Sequence, residues 1–142
     1  MKYRNFFSFI LLTIAVCTGF TSCDKDDDVD PTNINQVIVG QWKSEFLGEM
    51  YYDEMEVLDL NDTNIDDVYM HFSFNPNGTG YDLYYDGTRS DFSYEIIDGI
   101  LYISGEGSAN RYEIVKFNKN VIYMLRLPGY SYQAGLKLVR IK

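Results

Sequence analysis

The clearest structural signal in this sequence lies in residues 68–79, which read Val68-Tyr69-Met70-His71-Phe72-Ser73-Phe74-Asn75-Pro76-Asn77-Gly78-Thr79. Apolar and polar side chains alternate along the first part, and a period of two residues is typical of a β-strand with one buried face. The Asn-Pro-Asn-Gly segment favours a tight turn, because proline sets φ at the first turn position and glycine accepts the left-handed one. The stretch therefore predicts a strand that turns back into a second strand.

The same pattern continues on both sides of this turn, and Asp98-Gly99 is the strongest two-residue hairpin signal in the chain. Strands are predicted at residues 40–46, 68–74, 79–86, 89–96, 100–104, 111–117, 121–127 and 136–141, with turns at 105–110 and 118–120 and a longer loop at 128–135. About eight strands, each beside its sequence neighbour, predict an all-β, antiparallel up-and-down meander. Eight strands close into a barrel that holds its own side chains or one small ligand.

Two segments depart from this pattern. Residues 33–39 predict a short N-terminal helix, since Asn33 is a suitable cap, Gln36 lies at the capping-box distance and Gly40 suits the exit. Residues 47–67 fit neither the helical nor the strand period, and they carry many acidic side chains. We expect a long excursion here, with room for a short helix. Long loops in compact domains are often functional lids.

The first 23 residues have the layout of a secretory signal peptide. Lys2 and Arg4 make a basic start, residues 6–20 are mostly apolar, and Thr21 and Ser22 are small residues ahead of Cys23. A transmembrane anchor is the alternative. The apolar run is about 15 residues, whereas a membrane-spanning helix needs roughly 20, so the signal peptide is favoured.

The junction Phe20-Thr21-Ser22-Cys23 resembles the cleavage box of bacterial lipoproteins, although Phe20 stands where that box usually has leucine. The resemblance implies that residues 1–22 are removed and that Cys23 carries the lipid. It implies a protein held on the membrane by a lipid anchor, in the cell envelope and in the outer membrane.

Residues 23–32 form an acidic tether, in which like charges repel and Pro31 interrupts regular structure. Its alternating acids invite a calcium-loop interpretation, but the positions that need glycine and glutamate hold Val29 and Asn35. An acidic run directly after the lipidated cysteine also resembles the surface-export signal of some Gram-negative lipoproteins. The remaining residues, 33–142, are predicted to form one barrel domain.

Charge and cysteine content exclude several classes of partner and site. Without residues 1–22 the chain has 142 − 22 = 120 residues, and its 12 − 2 = 10 basic and 21 acidic side chains give a net charge of −11. Such a domain is repelled by nucleic acid and, if it has charged partners, favours basic ones. Cys17 lies in the removed segment and Cys23 would be lipidated, so no disulfide and no cysteine-based metal site is expected.

The start and the end of the predicted barrel resemble the lipocalins. Gly40-Gln41-Trp42 opens the first strand like the Gly-x-Trp of that family, and Arg140 on the last strand is placed like the basic residue that the family lays across its tryptophan. With the turn segment 74–79 and the tail 138–140, the chain resembles the lipocalin-like lipoproteins of Gram-negative bacteria over residues 33–142. We expect structural roles for Gly40, Trp42 and Arg140, and we expect Trp42 and Arg140 to be in contact.

A ligand site, if the barrel is hollow, should be lined by one aromatic face of the strands. If the turn after Phe74 carries the usual one-residue bulge, Phe74 lies opposite Gly80 and Ser73 opposite Tyr81. Strand alternation then predicts an interior lining of Met70, Phe72, Tyr84, Tyr94, Tyr102, Tyr112 and Met124. The opposite face is the alternative lining, with Tyr69, His71, Tyr81, Leu83 and Tyr85. Tyrosine is also simply common in strands, so these rings do not require a ligand. We expect the cavity to open at the end away from Trp42 and to be partly covered by residues 47–67.

Catalytic chemistry has no clear basis in this sequence. His71 is the only histidine and has no second histidine or free cysteine to share a metal, so no metal and no cofactor is expected. A nucleophile-elbow motif is missing, and nothing distinguishes two of the many acids as a glycosidase pair. We therefore expect a non-enzymatic protein that binds a small apolar or amphipathic ligand. The alternative is a filled barrel whose acidic surface binds a basic protein, for example as an inhibitor of a cationic enzyme.

Overall fold

The structure, a computed structural model, describes residues 30–127 and 133–141 of the chain. Its eight strands pair antiparallel in sequence order, and the last pairs with the first to close a barrel. They are β1 (Gly40–Met50), β2 (Met70–Phe74), β3 (Thr79–Tyr84), β4 (Arg89–Ile97), β5 (Ile100–Gly105), β6 (Ser108–Phe117), β7 (Val121–Leu127) and β8 (Gln133–Arg140). The predicted all-β meander of about eight strands is confirmed. The predicted signal peptide 1–22, Cys23 and tether residues 24–29 lie outside the described residues.

The turn between β2 and β3 fixes the pairing of these strands as the sequence predicted. Phe74 lies opposite Gly80 and Ser73 opposite Tyr81. The backbone N–H of Asn75 donates to the carbonyl of Thr79 at 2.8 Å, and Gly78 has the positive φ of +80° that the turn requires. This register places one alternating set of side chains on the inside of the barrel.

Three strands extend by three or four residues beyond their predicted bounds. β1 continues to Met50 through an irregularity between Phe46 and Gly48, and β8 already begins at Gln133. β6 begins at Ser108, because only Glu106 and Gly107 form the turn after β5. The expected six-residue turn at 105–110 is therefore shorter, and four of its residues belong to the strands of the barrel wall.

One end of the barrel is closed by the short helix α1 (Ile34–Val37). The side chain of Asn33 caps it by accepting from the N–H of Asn35 at 3.1 Å. Val37 and Ile38 are fully buried in the barrel interior. Trp42 is also fully buried, and its indole N–H donates to the carbonyl of Ile38 at 2.8 Å. The predicted N-terminal helix thus plugs this closed end.

Arg140, on the last strand β8, holds α1 and Trp42 in place at the closed end. Its guanidinium carbon lies 4.3 Å from the centre of the Trp42 ring, which confirms the predicted contact. The same group donates to the carbonyls of Val37, of Val39 at 3.0 Å and of Lys119 at 2.7 Å. Gly40 leaves the space for it: a Cβ there would lie 2.5 Å from Arg140 Nη1, and the φ of +133° already disfavours other residues.

The interior next to the plug is densely filled. Phe72, Phe74 and Phe92 form an aromatic cluster with ring centres 5.5–6.4 Å apart. Tyr94 meets Phe74 edge-on at 5.0 Å, and its hydroxyl donates to the carbonyl of Asn75. The remaining interior is formed by apolar side chains of β5, β7 and β8, among them Leu101, Ile103, Ile122, Met124, Leu136 and Leu138. Aromatic and aliphatic burial therefore stabilises the closed half of the barrel.

The excursion after β1 packs on the outside of the barrel. It contains the helix α2 (Tyr52–Glu56), whose Met55 is fully buried against Val121, Leu125 and Val139. The prediction that residues 47–67 partly cover the cavity is wrong, because this apolar cluster holds the segment against the outer face of β6 to β8. The expected short helix is present.

Side chains of the wall fix the excursion by binding its carbonyl groups. Lys116 donates to the carbonyls of Glu56 and Leu58, and the Tyr123 hydroxyl donates to that of Asp59 at 2.9 Å. The buried Lys137 donates to Asp62 Oδ2 at 2.8 Å and to the carbonyl of Asn64 at 2.6 Å. The hydrogen bond from Lys137 lowers the pKa of Asp62, and burial raises the pKa of Tyr123 to about 12.

We expect Arg140→Ala to lower the free energy of unfolding by about 3 kcal/mol, since it removes a cation–π contact and hydrogen bonds from a charged donor. Arg140→Lys keeps the charge but not the planar group, and should cost about 1–2 kcal/mol. Trp42→Ala should cost about 3–5 kcal/mol through the cavity it leaves. Urea unfolding of residues 24–142 measures all three. A lysine variant as stable as the wild type would show that the carbonyl contacts of Arg140 contribute nothing.

Candidate functional site

The end of the barrel opposite α1 is open on the side of β3 to β6. Pairing between β4 and β5 starts only at Phe92 and Gly105, so residues 89–91 extend beyond the end of β5. A cavity of ≈ 280 Å³ lies in this gap. It is lined by Asp82, Arg89, Ser90, Asp91, Phe92, Ile103, Gly105, Glu106, Ser108 and Asn110. The predicted location of a cavity, at the end away from Trp42, agrees with this arrangement.

The floor of the cavity is apolar. Phe92 and Ile103 line it from β4 and β5, and each is only 7% exposed. Gly80 on the neighbouring strand gives Phe92 its room, because a Cβ there would lie 2.5 Å from the ring carbon Cε2. The aromatic cluster of the closed half therefore ends at this floor and supports it from below.

Asp82 forms the polar wall of the cavity. It lies opposite Phe72 on β2 and Ser90 on β4, on the interior face of β3. Its Oδ1 atom is buried and has no hydrogen-bond partner among the described residues. A buried polar group without a partner costs about 1–3 kcal/mol. Burial raises the pKa of Asp82, and hydrogen bonds from Ser90 offset this only in part.

Tyrosine and arginine side chains surround Asp82 at the open end. Burial raises the pKa of Tyr84 and of Tyr112, the charge of Asp82 raises both further, and Arg126 lowers both. Tyr69 acts on the same two tyrosines, so these groups lie close enough to affect one another. Arg126 itself is exposed and donates to Asn110 Oδ1 at 2.7 Å.

The charges that line the cavity are mainly negative. Asp82, Asp91 and Glu106 are acidic, and Arg89 is the one basic residue of this lining. Arg89 binds Asp91 Oδ1 through Nε at 2.9 Å and Nη2 at 2.7 Å, and its guanidinium lies 4.0 Å from the centre of the Tyr81 ring. Arg89 is thus bound on the outer surface. When Asp82 is ionised, the three acidic residues and Arg89 give the lining a net charge of −3 + 1 = −2.

The structure brings six of the seven predicted lining residues into the interior cluster or against it: Met70, Phe72, Tyr84, Tyr94, Tyr112 and Met124. Tyr102 does not join them. It lies between Glu95 and Arg111 on the outer face, because Leu101 and Ile103 occupy the interior positions of β5. None of the seven lines the ≈ 280 Å³ cavity. Of the alternative face, His71, Tyr81 and Leu83 point outward, and Tyr69 lies at the rim, 6.0 Å from Phe46.

Sequence reasoning missed Asp82 and Ser90, although alternation along β3 and β4 could have found both. Asp82 lies between Gly80 and Tyr84 on the interior face, and Ser90 shares the face of Phe92. The prediction considered only aromatic side chains as a lining. A carboxylate at an interior strand position was the informative signal, because such groups are rarely buried without a function or a partner.

Other kinds of site find little support in the described parts of the chain. Residues 30–127 and 133–141 hold no group of three or more histidine, cysteine or acidic side chains placed to bind a metal ion. Within the same ranges, no helix is both long and apolar enough to cross a membrane. Comparison with protein-family models and with curated proteins finds no match for this chain.

We expect Asp82→Asn to be more stable than the wild type near neutral pH. Because the folded pKa of Asp82 is raised above its ordinary value of 3.8, the folded state holds this proton more tightly than the unfolded state. That stabilisation is complete below the ordinary pKa and is lost as the pH rises through the folded pKa. The asparagine side chain cannot ionise, so the advantage of the variant should grow as the pH rises from about 4 through the folded pKa of Asp82.

Urea midpoints of both proteins across this pH range provide the measurement. Tyr84 and Tyr112, which face Asp82, stay neutral over these pH values, and Arg126 stays charged. As a control, Asp91→Asn removes an exposed carboxylate from the same wall and should bring no gain in stability at neutral pH. A difference between Asp82→Asn and the wild type that does not change with pH would contradict the burial of an ionisable Asp82.

Proposed function

We propose that this chain is a lipid-anchored, lipocalin-like, non-enzymatic protein that binds a small amphipathic ligand at the open end of its barrel. One observation carries the proposal. The barrel is sealed at one end by α1, Trp42 and Arg140, and at the other end it has a cavity with an apolar floor and an unsatisfied polar group. Most of the residues that line this cavity are polar or charged, and Phe92 and Ile103 are its apolar part. Small-molecule sites use such polar groups to orient a ligand and apolar side chains to bury the rest of it.

The lipocalin resemblance is supported by contacts at the closed end. Gly40, Trp42 and Arg140, on which the resemblance rests, meet at one point of the structure. An eight-stranded closed barrel is compatible with such a protein. Fold alone does not determine function, so the ligand has to be argued from the cavity itself.

The size of the cavity limits the ligand. A volume of ≈ 280 Å³ lies just below the usual range for ligand pockets, which begins at about 300 Å³. At about 30 Å³ for each water-sized group, it holds roughly nine non-hydrogen atoms. The filled interior below Phe92 and Ile103 prevents deeper entry of a long chain. The ligand, or the part of it that is bound, is therefore short.

The proposed anchor is Cys23, and its position is compatible with an accessible cavity. The described chain enters the barrel at α1, which is the closed end. A ten-residue tether reaches at most about 35 Å. Anchored from this side, the barrel presents its open end away from the lipid surface, where a ligand from the aqueous phase reaches it.

The anchor predicts that the mature chain begins at Cys23 and carries acyl chains. Stable membrane binding needs at least two lipid signals, because one acyl chain binds only weakly. Cys23→Ser should leave the protein unprocessed or release it from membranes. Intact-mass analysis of the purified wild type measures whether Cys23 is acylated. An unmodified thiol at Cys23 would contradict the anchor without affecting the proposed ligand site.

The ligand site predicts that n-hexanol, a neutral probe of seven non-hydrogen atoms, binds in the cavity. For its size we expect a dissociation constant on the order of 1 mM. An NMR titration of residues 24–142, which contain the whole barrel, should shift the amides of Asp82, Ser90, Phe92 and Ile103. Ser90→Trp fills the cavity and should weaken binding by about ten-fold or more.

Ser93→Trp is the matched control, because Ser93 lies on the same strand but points to the outer face, opposite Thr79 and Ser104. It should change the dissociation constant less than about two-fold. If hexanol shifts no cavity amide, or if both tryptophan variants weaken it equally, the proposed site is wrong. The acidic surface would then favour the alternative, a module that binds a basic protein.

A further inference from the structure

We propose that the ligand carries a primary ammonium group and that Asp82 is the side chain that binds it. The inference rests on the proposed function, because it assigns a chemical class to the ligand of the same cavity. It goes beyond that function in predicting the charge of the ligand, which neither the fold nor the lipocalin resemblance supplies.

The unpaired oxygen of Asp82 is the first argument. Oδ1 is buried and has no donor among the described residues, while the residue itself lines the cavity. A carboxylate accepts hydrogen bonds and donates none, so a partner must bring donors. An ammonium group offers three donors and a positive charge, and bonds between such groups are shorter and stronger than neutral ones.

The charge of the cavity is the second argument. Asp91 and Glu106 line the same space as Asp82, and Arg89 is already bound to Asp91. The whole chain has a net charge of −9, which raises the local concentration of small cations and lowers that of anions. A ligand with a carboxylate head would therefore enter against both the local and the overall field.

Arg126 is the group that would favour an anionic ligand instead, and its position argues against this role. It is exposed at the rim, where Nη2 donates to Asn110 Oδ1, and it is not part of the cavity lining. Asn110, which does line the cavity, binds the guanidinium at this position. An anion bound at Arg126 would not contact the apolar floor formed by Phe92 and Ile103.

The apolar floor defines the rest of the ligand. Phe92 and Ile103 face the space beside Asp82, and both are nearly buried. A short alkyl or aromatic group attached to the ammonium would cover them while the nitrogen meets the carboxylate of Asp82. With room for roughly nine non-hydrogen atoms, the cavity fits a small primary amine.

Three probes of matched chain length test the charge: n-hexylammonium, n-hexanol and n-hexanoate, titrated into residues 24–142 at about pH 7.5 and about 150 mM salt and followed by NMR. Hexylammonium should bind about five-fold more tightly than hexanol, and hexanoate should bind most weakly. Asp82→Asn keeps the shape of the side chain and removes its charge. It should bring hexylammonium to within about two-fold of hexanol.

The control Asp91→Asn also removes one negative charge from the cavity lining, but from the pair with Arg89. It should retain the preference for hexylammonium. A preference that survives Asp82→Asn, a preference equally lost in Asp91→Asn, or tighter binding of hexanoate would overturn the assignment to Asp82. If hexanol binds in the cavity and hexylammonium binds no better, only this inference fails. If neither binds, the proposed function fails with it.

Discussion

The contact of Arg140 with Trp42 is the constraint on which the rest of the barrel depends. It joins the last strand to the first, and through the carbonyls of Val37 and Val39 it also holds the helix that plugs the barrel. These groups lie nearly the whole described chain apart in sequence, and the pairing of β1 with β8 brings them together. Gly40 is needed at the same point, because any side chain there would occupy the space of the guanidinium. The guanidinium of Arg140, partly covered by backbone carbonyls and an indole ring, thus links the first strand to the last, as a disulfide does in small disulfide-bonded domains.

Because the closed end of the barrel is well packed, the fold tolerates side chains at the open end that lower its stability. The closed half buries Trp42, Phe72, Phe74 and much of the aliphatic core, whereas the open half contains the unpaired oxygen of Asp82. Such an oxygen lowers stability by about 1–3 kcal/mol, which a fully packed interior position would not do. Groups of this kind persist where a partner satisfies them, and binding sites are the usual place. The stability lost at the open end, through the unpaired oxygen of Asp82, is therefore offset by the apolar burial at the closed end.

The features that depend on local patterns were predictable from the sequence, and those that depend on distant side chains were not. Strand alternation and the turn after Phe74 predicted the register of β2 and β3, and the resemblance to lipocalins implied the contact of Trp42 with Arg140. The position of the excursion was not predictable, because it is set by Lys116, Tyr123 and Lys137, which bind its carbonyl groups from strands more than fifty residues later. Tyr102 was misplaced for another reason: on β5 the aromatic residue points outward and the aliphatic residues fill the interior. Asp82 lay on the predicted interior face, but the absence of a hydrogen-bond donor near its Oδ1 could be recognised only from the side chains described around it.

The position of the excursion also explains why the cavity lies between β4 and β5. Met55 and its apolar neighbours cover the outer face of β6 to β8, and the carbonyl contacts of Lys116 and Lys137 bind this cover to the wall. Among the described residues, nothing comparable covers the wall made by β3 to β5: the outward residues of β4, Arg89, Asp91, Ser93 and Glu95, are all exposed. On the covered side, β6, β7 and β8 stay paired up to the open end, with Arg111 opposite Leu127 and Leu125 opposite Gly135. On the uncovered side, β4 runs past the end of β5 and leaves backbone groups and Asp82 beside an open space. The excursion thus covers one wall from outside, and the opposite wall stays open at the proposed ligand site.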